Sequence, residues 1–262
     1  MTNFNHYDNG LKAFSFDIFK PFGIIQGIFT RNGGVSPQPW ASLNLGGLNG
    51  DSRENVIENR RRIFNAVGRN VESIYDVWQV HGNTIRYSDI PRPLDQAHVR
   101  GDAILTDTPN ITLFMRFADC VPVMLADPRK GIISIIHAGW KGTLNRIAAD
   151  TVRRMVEQFG SKPADILAGI GPSIGADHFS VREDVIEQTR EAFGEETDHL
   201  LTQHNRRTFL DLWKANESVL RACGVEQIEV AGICTACHIE DWYSHRGEKG
   251  LTGRFGAIMG LP

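Results

Sequence analysis

Residues 116–142 read RFADCVPVMLADPRKGIISIIHAGWKG, and this stretch decides how the fold is interpreted. Residues 121–126 and 132–136 are two apolar runs rich in Val and Ile, and the segment DPRKG lies between them. Short apolar runs bounded by Pro and Gly are typical of buried strands joined by a tight turn. We therefore expect a β-hairpin at the centre of the protein.

The two ends of this hairpin carry Cys120 and His137. Because a hairpin brings its ends together, a thiol and an imidazole that are 17 positions apart are expected to meet at one sheet edge. Small residues follow His137, and a helix predicted to begin at Thr143 would favour an anion at its N-terminus. The alternative is a Cys that fills the core and a His that is hydrogen-bonded at a strand end. The spacing alone leaves both interpretations open.

Length and composition limit the classes of protein to be considered. The chain has 262 residues, of which 41% are hydrophobic, enough for one large domain or two small ones. The 28 Lys and Arg residues against 31 Asp and Glu residues give a net charge of -3, so we expect no nucleic-acid partner. No apolar run reaches the roughly 18 residues of a membrane-spanning helix, so we expect no membrane partner either.

The N-terminal residues MTNFNHYDNGLKAF lack the basic start and apolar core of a secretory signal. This favours a cytoplasmic location. Four cysteines are too few for a disulfide scaffold in a chain of this length. We therefore expect the thiols to be reduced, as is usual in that compartment.

Residues 31–51, RNGGVSPQPWASLNLGGLNGD, form a long predicted loop because Gly, Pro, Ser and Asn dominate them. Loops of this length without regular structure are uncommon and are often functional, although a surface linker is the alternative. A helix is predicted to follow, with a capping-box-like start formed by Asp51 and Glu54 and an end at Val67.

The remaining elements are predicted from apolar patterns and turn residues. Strands are expected at residues 14–19, 24–30, 76–82, 85–87, 102–106, 111–117, 165–170 and 227–233, and helices at 143–159, 183–193 and 212–223. The strand over 76–82 ends in VHG, which echoes the IHAG that ends the central hairpin. This echo is a weak indication of internal duplication.

A nicotinamide site is not expected. Gly169 and Gly171 follow a predicted strand and resemble the start of a dinucleotide-binding fingerprint. However, the third Gly is one residue late, and Pro172 lacks the N–H group that would hold a phosphate.

The C-terminal region contains Cys234-x-x-Cys237-His238, which matches the attachment pattern of c-type haem. Haem attachment takes place outside the cytoplasm, so haem is not expected here. The same residues with His245 are a zinc alternative, but structural zinc generally uses two ligand pairs and the second pair is missing. The polar segment 244–254 that follows is suited to an anion or a sugar, with an exposed turn as the alternative.

Eight segments occur in one order over residues 24–258: RNGGVSPQPWASLNLG, ENRRRI, QVHG, GDAILTD, ADCVPVMLADP, HAGWKGT, GPSIG and YSHRGEKGLTGR. Together they resemble the polyphenol oxidase (laccase-domain) family, also called the purine nucleoside phosphorylase family. Eight ordered motifs are far more specific than any single one, and they span nearly the whole chain.

The resemblance implies one domain over residues 1–262, of α/β (α+β) class, with mixed β-sheets flanked by helices. It also implies an internally duplicated fold similar to the catalytic domain of cytotoxic necrotising factor toxins. It further implies that His81, Cys120 and His137 are catalytic and hold one metal ion, usually Zn2+, with copper as the alternative. Three protein ligands leave a fourth position for water or substrate, which is the pattern of a catalytic zinc.

The activity implied is phosphorolysis of adenosine, inosine, guanosine and methylthioadenosine, with hydrolytic deamination of adenosine. The expected partners are therefore small-molecule purine nucleosides and phosphate. Asn44 and Arg60 match family motifs and are predicted to contact the substrate. Lys141 and the N–H groups at the predicted helix start are expected to hold phosphate. Arg254 is a further substrate-binding candidate, and Gly247 stands where members of the family often carry a second Arg, which weakens the predicted anion site.

Two other activities stay open. Copper-dependent oxidation of phenols gave the family its older name, but multicopper sites need many histidines, often as His-x-His. This chain has nine histidines and no such pattern. The other alternative is a hydrolase that uses Cys120 and His137 to edit peptidoglycan precursors. The sequence ranks neither the purine substrates nor the metals, and it fits a monomer or a small homo-oligomer.

Overall fold

The computed structural model describes residues 3–47 and 49–262. Within these ranges the strands are β1 Phe4–His6, β2 Lys12–Phe14, β3 Ile25–Phe29, β4 Ile74–Tyr75, β5 Ile85–Tyr87, β6 Ala103–Thr106, β7 Thr112–Phe117, β8 Val121–Asp127, β9 Ile132–Ala138, β10 Leu167–Ile170, β11 Ser180–Val181, β12 Leu201–His204, β13 Arg207–Leu210, β14 Gln227–Val230 and β15 Phe255–Gly260. The α-helices are α1 Arg53–Ala66, α2 Trp140–Leu144, α3 Ile147–Phe159, α4 Glu183–Phe193, α5 Thr197–Leu200 and α6 Leu212–Ala222. None of the helices in the described ranges is long and apolar enough to cross a lipid bilayer.

The described strands form three sheets, ordered β1-β2-β3-β15-β7-β4, β14-β10-β8-β9-β6-β5 and β11-β13-β12. Both six-stranded sheets are mixed, because parallel pairs such as β4 with β7 and β5 with β6 stand beside antiparallel ones. The predicted α/β class with mixed sheets and flanking helices is therefore confirmed. The internal duplication and the likeness to the necrotising factor domain stay predictions.

The predicted central hairpin is confirmed as β8 and β9, which pair antiparallel with Pro122 opposite His137. Every residue of both strands is buried because each face of the hairpin has its own cover. On one face, Val123 belongs to the cluster that includes apolar side chains of α3 and α6. On the other face, Met124 packs with apolar side chains of the first sheet. The hairpin thus lies in the middle layer, between a sheet and helices.

The predicted strand over residues 14–19 is wrong beyond Phe14. β2 ends there, and Asp17–Phe22 forms a 3-10 helix that contains Pro21. The backbone N–H and carbonyl of Phe16 are bonded to the amide side chain of Gln26, at 3.1 and 2.9 Å. These side-chain bonds take the place of the backbone hydrogen bonds of a strand. Further along, Pro21 has no backbone N–H group to donate to such bonds.

The predicted strand over residues 76–82 is also wrong. The segment is an extended loop with one isolated bridge, from Trp78 to Arg100. The Gln79 amide bonds the carbonyl and the N–H of Arg116, at 2.7 and 3.1 Å, and so holds the loop against β7. This loop carries the histidine at its end out of the sheet.

The helix predicted over residues 143–159 is two helices, α2 and α3. They are separated at Arg146, which has a left-handed φ of 59°. Because α2 begins at Trp140, Thr143 lies inside it and is buried, so the predicted helix start at Thr143 is wrong. The Thr143 hydroxyl accepts a hydrogen bond from the Asn216 amide (3.0 Å) and joins α2 to α6.

The other predicted helices are confirmed with small differences at their ends. α4 has the predicted bounds, and α6 ends at Ala222, one residue early. α1 begins after Ser52, whose side chain accepts a hydrogen bond from the backbone of Asn55. The predicted cap, Asp51, is therefore one residue too early.

β15 was not predicted, although it lies inside the first sheet between β3 and β7. Gly256 and Gly260 weaken its apolar pattern. A Cβ atom at Gly256 would lie 2.6 Å from the Phe114 ring, so the glycine is needed for the close approach of this strand to its neighbour.

The loop predicted over residues 31–51 is anchored to α1 by a buried amide, beside bonds from Arg60 and Arg62 of the same helix. Asn59 is fully buried in this helix. Its Oδ1 accepts from the N–H of Val35 (2.9 Å), and its Nδ2 donates to Ser36 Oγ (2.8 Å) and to the carbonyl of Asn44 (2.9 Å). The buried Asn59 side chain therefore anchors a loop that has no strand or helix in its described residues, 31–47 and 49–51.

We expect Asn59→Ala to lower the free energy of unfolding by roughly 2–4 kcal/mol, because buried backbone groups of the loop would lose their partners. Chemical denaturation monitored by circular dichroism measures this change. Asn65→Ala, an exposed position on the same helix, is the matched control and should change stability by less than about 0.5 kcal/mol. Equal effects of the two substitutions would contradict the anchoring role of Asn59.

Candidate metal centre and adjoining cavity

His81, Cys120 and His137, which the family resemblance placed on one metal ion, come together in the structure. One ligand atom from each side chain lies within 4.8 Å of the others. The rings of the two histidines have centroids 4.8 Å apart and meet at 74°. Cys120 immediately precedes β8, and His137 lies within β9 rather than after it. The hairpin register pairs His137 with Pro122, and Cys120 lies two residues along the chain from that partner, on the same face of the hairpin.

The carboxylate of Asp102, a residue not predicted as functional, holds both histidines. Its Oδ1 accepts hydrogen bonds from His137 Nδ1 (2.9 Å) and from the N–H of His81 (2.8 Å). Its Oδ2 accepts from the N–H of Gly82 (2.8 Å), and the N–H of Val80 lies 3.1 Å from Oδ1. With Nδ1 of His137 bonded to Asp102, Nε2 is the nitrogen left for a metal ion.

The backbone at His81 is strained. Its φ of 58° lies in the left-handed region, where a non-glycine residue is unfavourable by roughly 1–2 kcal/mol. The hydrogen bonds from this turn to the buried Asp102 carboxylate offset that strain. Gly139 provides space on the other side, because a Cβ atom there would lie 3.1 Å from Cys120 Sγ and 3.3 Å from His81 Cδ2.

Cys120 and His137 shift each other's pKa values. Burial opposes ionisation of Cys120, but the charge of His137 and hydrogen bonds from both histidines outweigh it and lower the Cys120 pKa to about 6. Burial also opposes the charged form of His137, but Cys120 and Asp102 outweigh it and raise the His137 pKa to about 9. Between these values the metal-free pair is a thiolate and an imidazolium.

This donor set fits a transition-metal ion such as zinc. A thiolate and two imidazoles are common zinc ligands, and a histidine ligand usually donates its other nitrogen to a carboxylate, as His137 does to Asp102. The thiolate of Cys120 is already favoured at neutral pH. Metal binding would displace the proton from the His137 imidazolium.

A cavity of about 500 Å³ opens beside these three residues, a volume within the range of small-molecule sites. Its walls combine aromatic side chains with three guanidinium groups. The lining residues are Gly46, Gly47, Asn49, Trp78, Gln79, His81, Arg116, Ala118, Asp119, Cys120, His137, Ile174, Phe179, His245, Arg246 and Arg254. The cavity is therefore suited to an aromatic ligand with an anionic group.

Asp119 contributes the acidic side chain among these described lining residues. Its oxygens are already engaged, because Oδ1 accepts from Thr235 Oγ1 (2.7 Å) and Oδ2 accepts from the N–H of Arg246 (2.6 Å). Both are bonds between distant segments of the chain. Asp119 thus ties the C-terminal loops to the cavity, and an anion in the cavity would mainly meet arginines.

Among the four predicted substrate-binding residues, the structure places Arg254 in the cavity lining. Asn44 is fully buried behind it. The Asn44 Oδ1 accepts from the N–H groups of Arg254 (2.9 Å) and Gly46 (3.0 Å). Asn44 therefore positions two segments of the wall and does not itself line the cavity.

Arg60 and Lys141 also lie outside the cavity lining. Arg60 is bonded to the carbonyl of Leu45 (3.1 Å), and its guanidinium lies 5.4 Å from the centroid of Phe114. Lys141 is exposed, and its ammonium lies 5.5 Å from the centroid of Trp140. Lys141 and the N–H groups of a helix start at Thr143 were the predicted phosphate holders. The structure places Lys141 outside the cavity lining and begins α2 three residues before Thr143.

Several cavity residues had no recognisable signal in the sequence. Trp78 was placed in a strand, but it lies in a loop and its side chain is 42% exposed at the cavity. Arg116 was treated as part of a strand, and Phe179 was not considered. The segment GDAILTD that contains Asp102 was part of the family resemblance, so the motif itself was the one available pointer to this carboxylate.

The chain belongs to the family described as multi-copper polyphenol oxidoreductase laccase, whose model matches residues 25–262. The suspected family is thereby confirmed.

Particular relatives carry a second description. The chain is 41% identical over 234 residues to a Deinococcus radiodurans protein named purine nucleoside phosphorylase, a match that covers 89% of this chain and 87% of the relative. It is 35% identical over 247 residues to purine nucleoside phosphorylase YlmD of Bacillus subtilis, covering 91% and 88% of the two chains. The crystal structure of YlmD from Geobacillus stearothermophilus superposes with a TM-score of 0.91 at 32% identity, covering 100% of this chain and 99% of that one.

In metal-free protein, we expect iodoacetamide to alkylate Cys120 with half-maximal rate near pH 6, well below the value of about 8.5 for an ordinary thiol. The rate should rise with pH because the thiolate is the reactive form. Peptide mass spectrometry identifies the modified residue. Burial raises the pKa of Cys223, so this half-buried thiol is an internal control that should react later.

Prior addition of Zn2+ should block this alkylation if the thiolate is a ligand. Alkylation that is unchanged by zinc would contradict metal binding by Cys120.

We expect Asp102→Asn to lower zinc affinity by about 10–100-fold, the usual effect of losing the outer partner of a histidine ligand. Competition with a chromophoric chelator measures the affinity. Asp102 immediately precedes β6, and the exposed Asp107 immediately follows it. Asp107→Asn is therefore the matched control. Unchanged affinity in Asp102→Asn would show that this carboxylate does not support the metal site.

Proposed function

We propose that this chain is a metal-dependent enzyme of the purine nucleoside phosphorylase type. The observation that carries the proposal is the convergence of His81, Cys120 and His137 at the wall of a cavity with aromatic and guanidinium side chains. The Deinococcus and Bacillus relatives are named purine nucleoside phosphorylases, which supports this reaction class. The proposed substrates are purine nucleosides, with adenosine, inosine, guanosine and methylthioadenosine as the set to test.

The purine and the phosphate have complementary partners in the cavity. Trp78 and Phe179 offer aromatic faces against which a purine can stack. Arg116, Arg246 and Arg254 offer charge for phosphate, which guanidinium groups bind through paired hydrogen bonds. We place the phosphate on this arginine set rather than on Lys141 and the short α2 helix.

The guanidinium groups are held before the ligand arrives. Arg254 Nη1 donates to the carbonyls of Thr252 (3.2 Å) and Gly253 (2.8 Å). Arg246 Nη1 donates to Ser180 Oγ (3.1 Å). Fixed donors of this kind stabilise developing charge without having to reorganise during the reaction.

In phosphorolysis, a phosphate oxygen forms a bond to the ribose C1′ while the bond from C1′ to the purine nitrogen breaks. The electron pair leaves with the purine, and the products are ribose 1-phosphate and the free base. The arginines bind and orient the phosphate, and His81, Cys120 and His137 would hold the metal ion. Asp102 orients the imidazole of His137 and fixes the backbone of His81. When bound, zinc would supply Lewis acidity. Hydrolytic deamination of adenosine is included in the proposal as a second reaction of the same site.

The test is an assay of zinc-loaded protein with adenosine, with and without phosphate. Adenine and ribose 1-phosphate should form only with phosphate, and inosine should form without it. The matched control is Cys120→Ser protein carried through the same purification, which should lose both products. Absence of both products from the zinc-loaded enzyme would overturn the proposal.

We expect Arg254→Ala to raise the KM for phosphate by 10-fold or more, roughly the loss of one charge-assisted hydrogen bond. Initial rates at varied phosphate and saturating adenosine measure this change. Arg129→Ala, an exposed arginine in the β8–β9 turn, is the matched control. A similar increase in Lys141→Ala and none in Arg254→Ala would reverse the assignment of the phosphate site.

A cysteine hydrolase is the second candidate, because Cys120 and His137 form a thiolate–imidazolium pair and Asp102 orients the imidazole. This arrangement matches a nucleophile, a base and an orienting group. Zinc separates the two candidates, since a hydrolase of this kind would be inhibited by the ion that the phosphorylase requires. Copper-dependent phenol oxidation is supported by the description of the family alone.

A further inference from the structure

A second group of potential metal ligands lies on two loops behind the cavity wall. Asp177 and His178 follow β10, and Cys234 and Cys237 follow β14. One ligand atom from each of these four side chains lies within 4.8 Å of the others. Neither thiol is part of a disulfide.

Three of four ligand–ligand distances in this group fall in the range of a tetrahedral zinc site, and the fourth, between Asp177 and His178, is shorter at 3.0 Å. With metal–sulfur bonds of about 2.3 Å and metal–nitrogen or metal–oxygen bonds of about 2.0 Å, neighbouring ligand atoms are about 3.3–3.8 Å apart. His178 Nδ1 lies 3.7 Å from Cys234 Sγ and 3.5 Å from Cys237 Sγ. Asp177 Oδ2 lies 3.3 Å from Cys237 Sγ and 3.0 Å from His178 Nδ1.

We propose that Asp177, His178, Cys234 and Cys237 form a second, structural site for a divalent metal ion, with zinc as the ion that best fits two sulfurs, one nitrogen and one oxygen. Four protein ligands would fill all four positions of a tetrahedral site, whereas His81, Cys120 and His137 provide three ligands at the first candidate centre. The buried Cys234 is also supported from behind, because its Sγ accepts from the N–H of Gly175 at 3.2 Å. Such N–H bonds to the sulfur are a common outer support of metal-binding thiolates.

The arrangement explains the Cys234-x-x-Cys237-His238 motif, which lacked a second ligand pair. His238 and His245, which the zinc alternative had included, do not belong to this group. His238 Nδ1 instead lies 3.2 Å from a carboxylate oxygen of Glu240, and His245 lines the cavity of the first centre. The missing pair comes from the loop after β10, which is distant in sequence.

The second site connects two segments that form part of the cavity wall. The loop that carries Asp177 and His178 lies between Ile174 and Phe179, both of which line the cavity. The carbonyl of His178 accepts from Arg246 Nη1 at 3.2 Å. A metal ion here would therefore fix the position of Phe179 and Arg246 without touching the ligand in the cavity. This inference does not rest on the proposed phosphorylase activity.

The experiment is performed on full-length protein that carries Cys120→Ser, which removes the thiolate of the first centre. Titration with Co2+ alone should give the thiolate-to-cobalt charge-transfer band and the intense visible bands of a tetrahedral site. Adding Cys237→Ser should reduce the intensity of the charge-transfer band. It should also weaken cobalt binding by at least about 100-fold, a larger effect than the loss of a residue that only supports a ligand. Cys237 is exposed, so its replacement should leave the fold intact, as circular dichroism checks.

The matched control is Cys223→Ser in the same Cys120→Ser background. It replaces a half-buried cysteine outside the group, and it should leave the cobalt spectrum and affinity unchanged. His178→Gln in the same background is the second test variant. It retains the thiols of Cys234 and Cys237 and should still weaken cobalt binding.

Zinc content distinguishes the two centres independently of activity. After dialysis against metal-free buffer, unmodified protein should hold two zinc ions, and either Cys120→Ser or Cys237→Ser should hold one. A cobalt spectrum without a thiolate band in the Cys120→Ser protein would overturn the second site. So would a Cys234–Cys237 disulfide found by mass spectrometry in freshly isolated protein, or equal cobalt affinity with and without Cys237.

Discussion

The buried carboxylate of Asp102 is the constraint on which the site depends. A carboxylate with no exposed surface must be surrounded by donors, and here the donors are His137 Nδ1 and the N–H groups of the His81 turn. The same bonds that satisfy the charge therefore bring two distant histidines to one place. They also keep His81 in a left-handed conformation that it would not otherwise favour. The candidate metal centre is consequently organised by hydrogen bonds within the protein itself.

The sequence predicted the elements whose signal is local. β8 and β9 are continuous apolar runs because both faces of the hairpin are covered, and such runs are recognisable without any knowledge of their neighbours. The pairing of Cys120 with His137 followed from that hairpin. His81 did not follow from any spacing, because the loop that carries it is held by the Gln79 side chain bonded to the backbone of β7 and by Asp102, which precedes β6. Only the resemblance to a family placed it at the site.

Several failures depend on a side chain that lies outside the element itself. Gln26 bonds both backbone groups of Phe16, and this ends β2 where the apolar pattern continues. The glycines of β15 are explained only by the ring of Phe114 on the neighbouring strand. The Asp177–His178 pair becomes meaningful only beside two cysteines more than fifty positions away. None of these partners is visible within a window of sequence.

The register of the central hairpin has a consequence for how the protein matures. Side chains alternate between the two faces of a strand, so a slip of one residue between β8 and β9 would turn His137 to the opposite face. Ile136 or Ala138 would then stand next to the thiol, and neither side chain can coordinate an ion. Misaligned molecules would have similar helix and strand content but an incomplete first centre. Binding of the proposed metal ion at that candidate centre would thus report on strand alignment, and it could serve as a quality measure for refolded preparations.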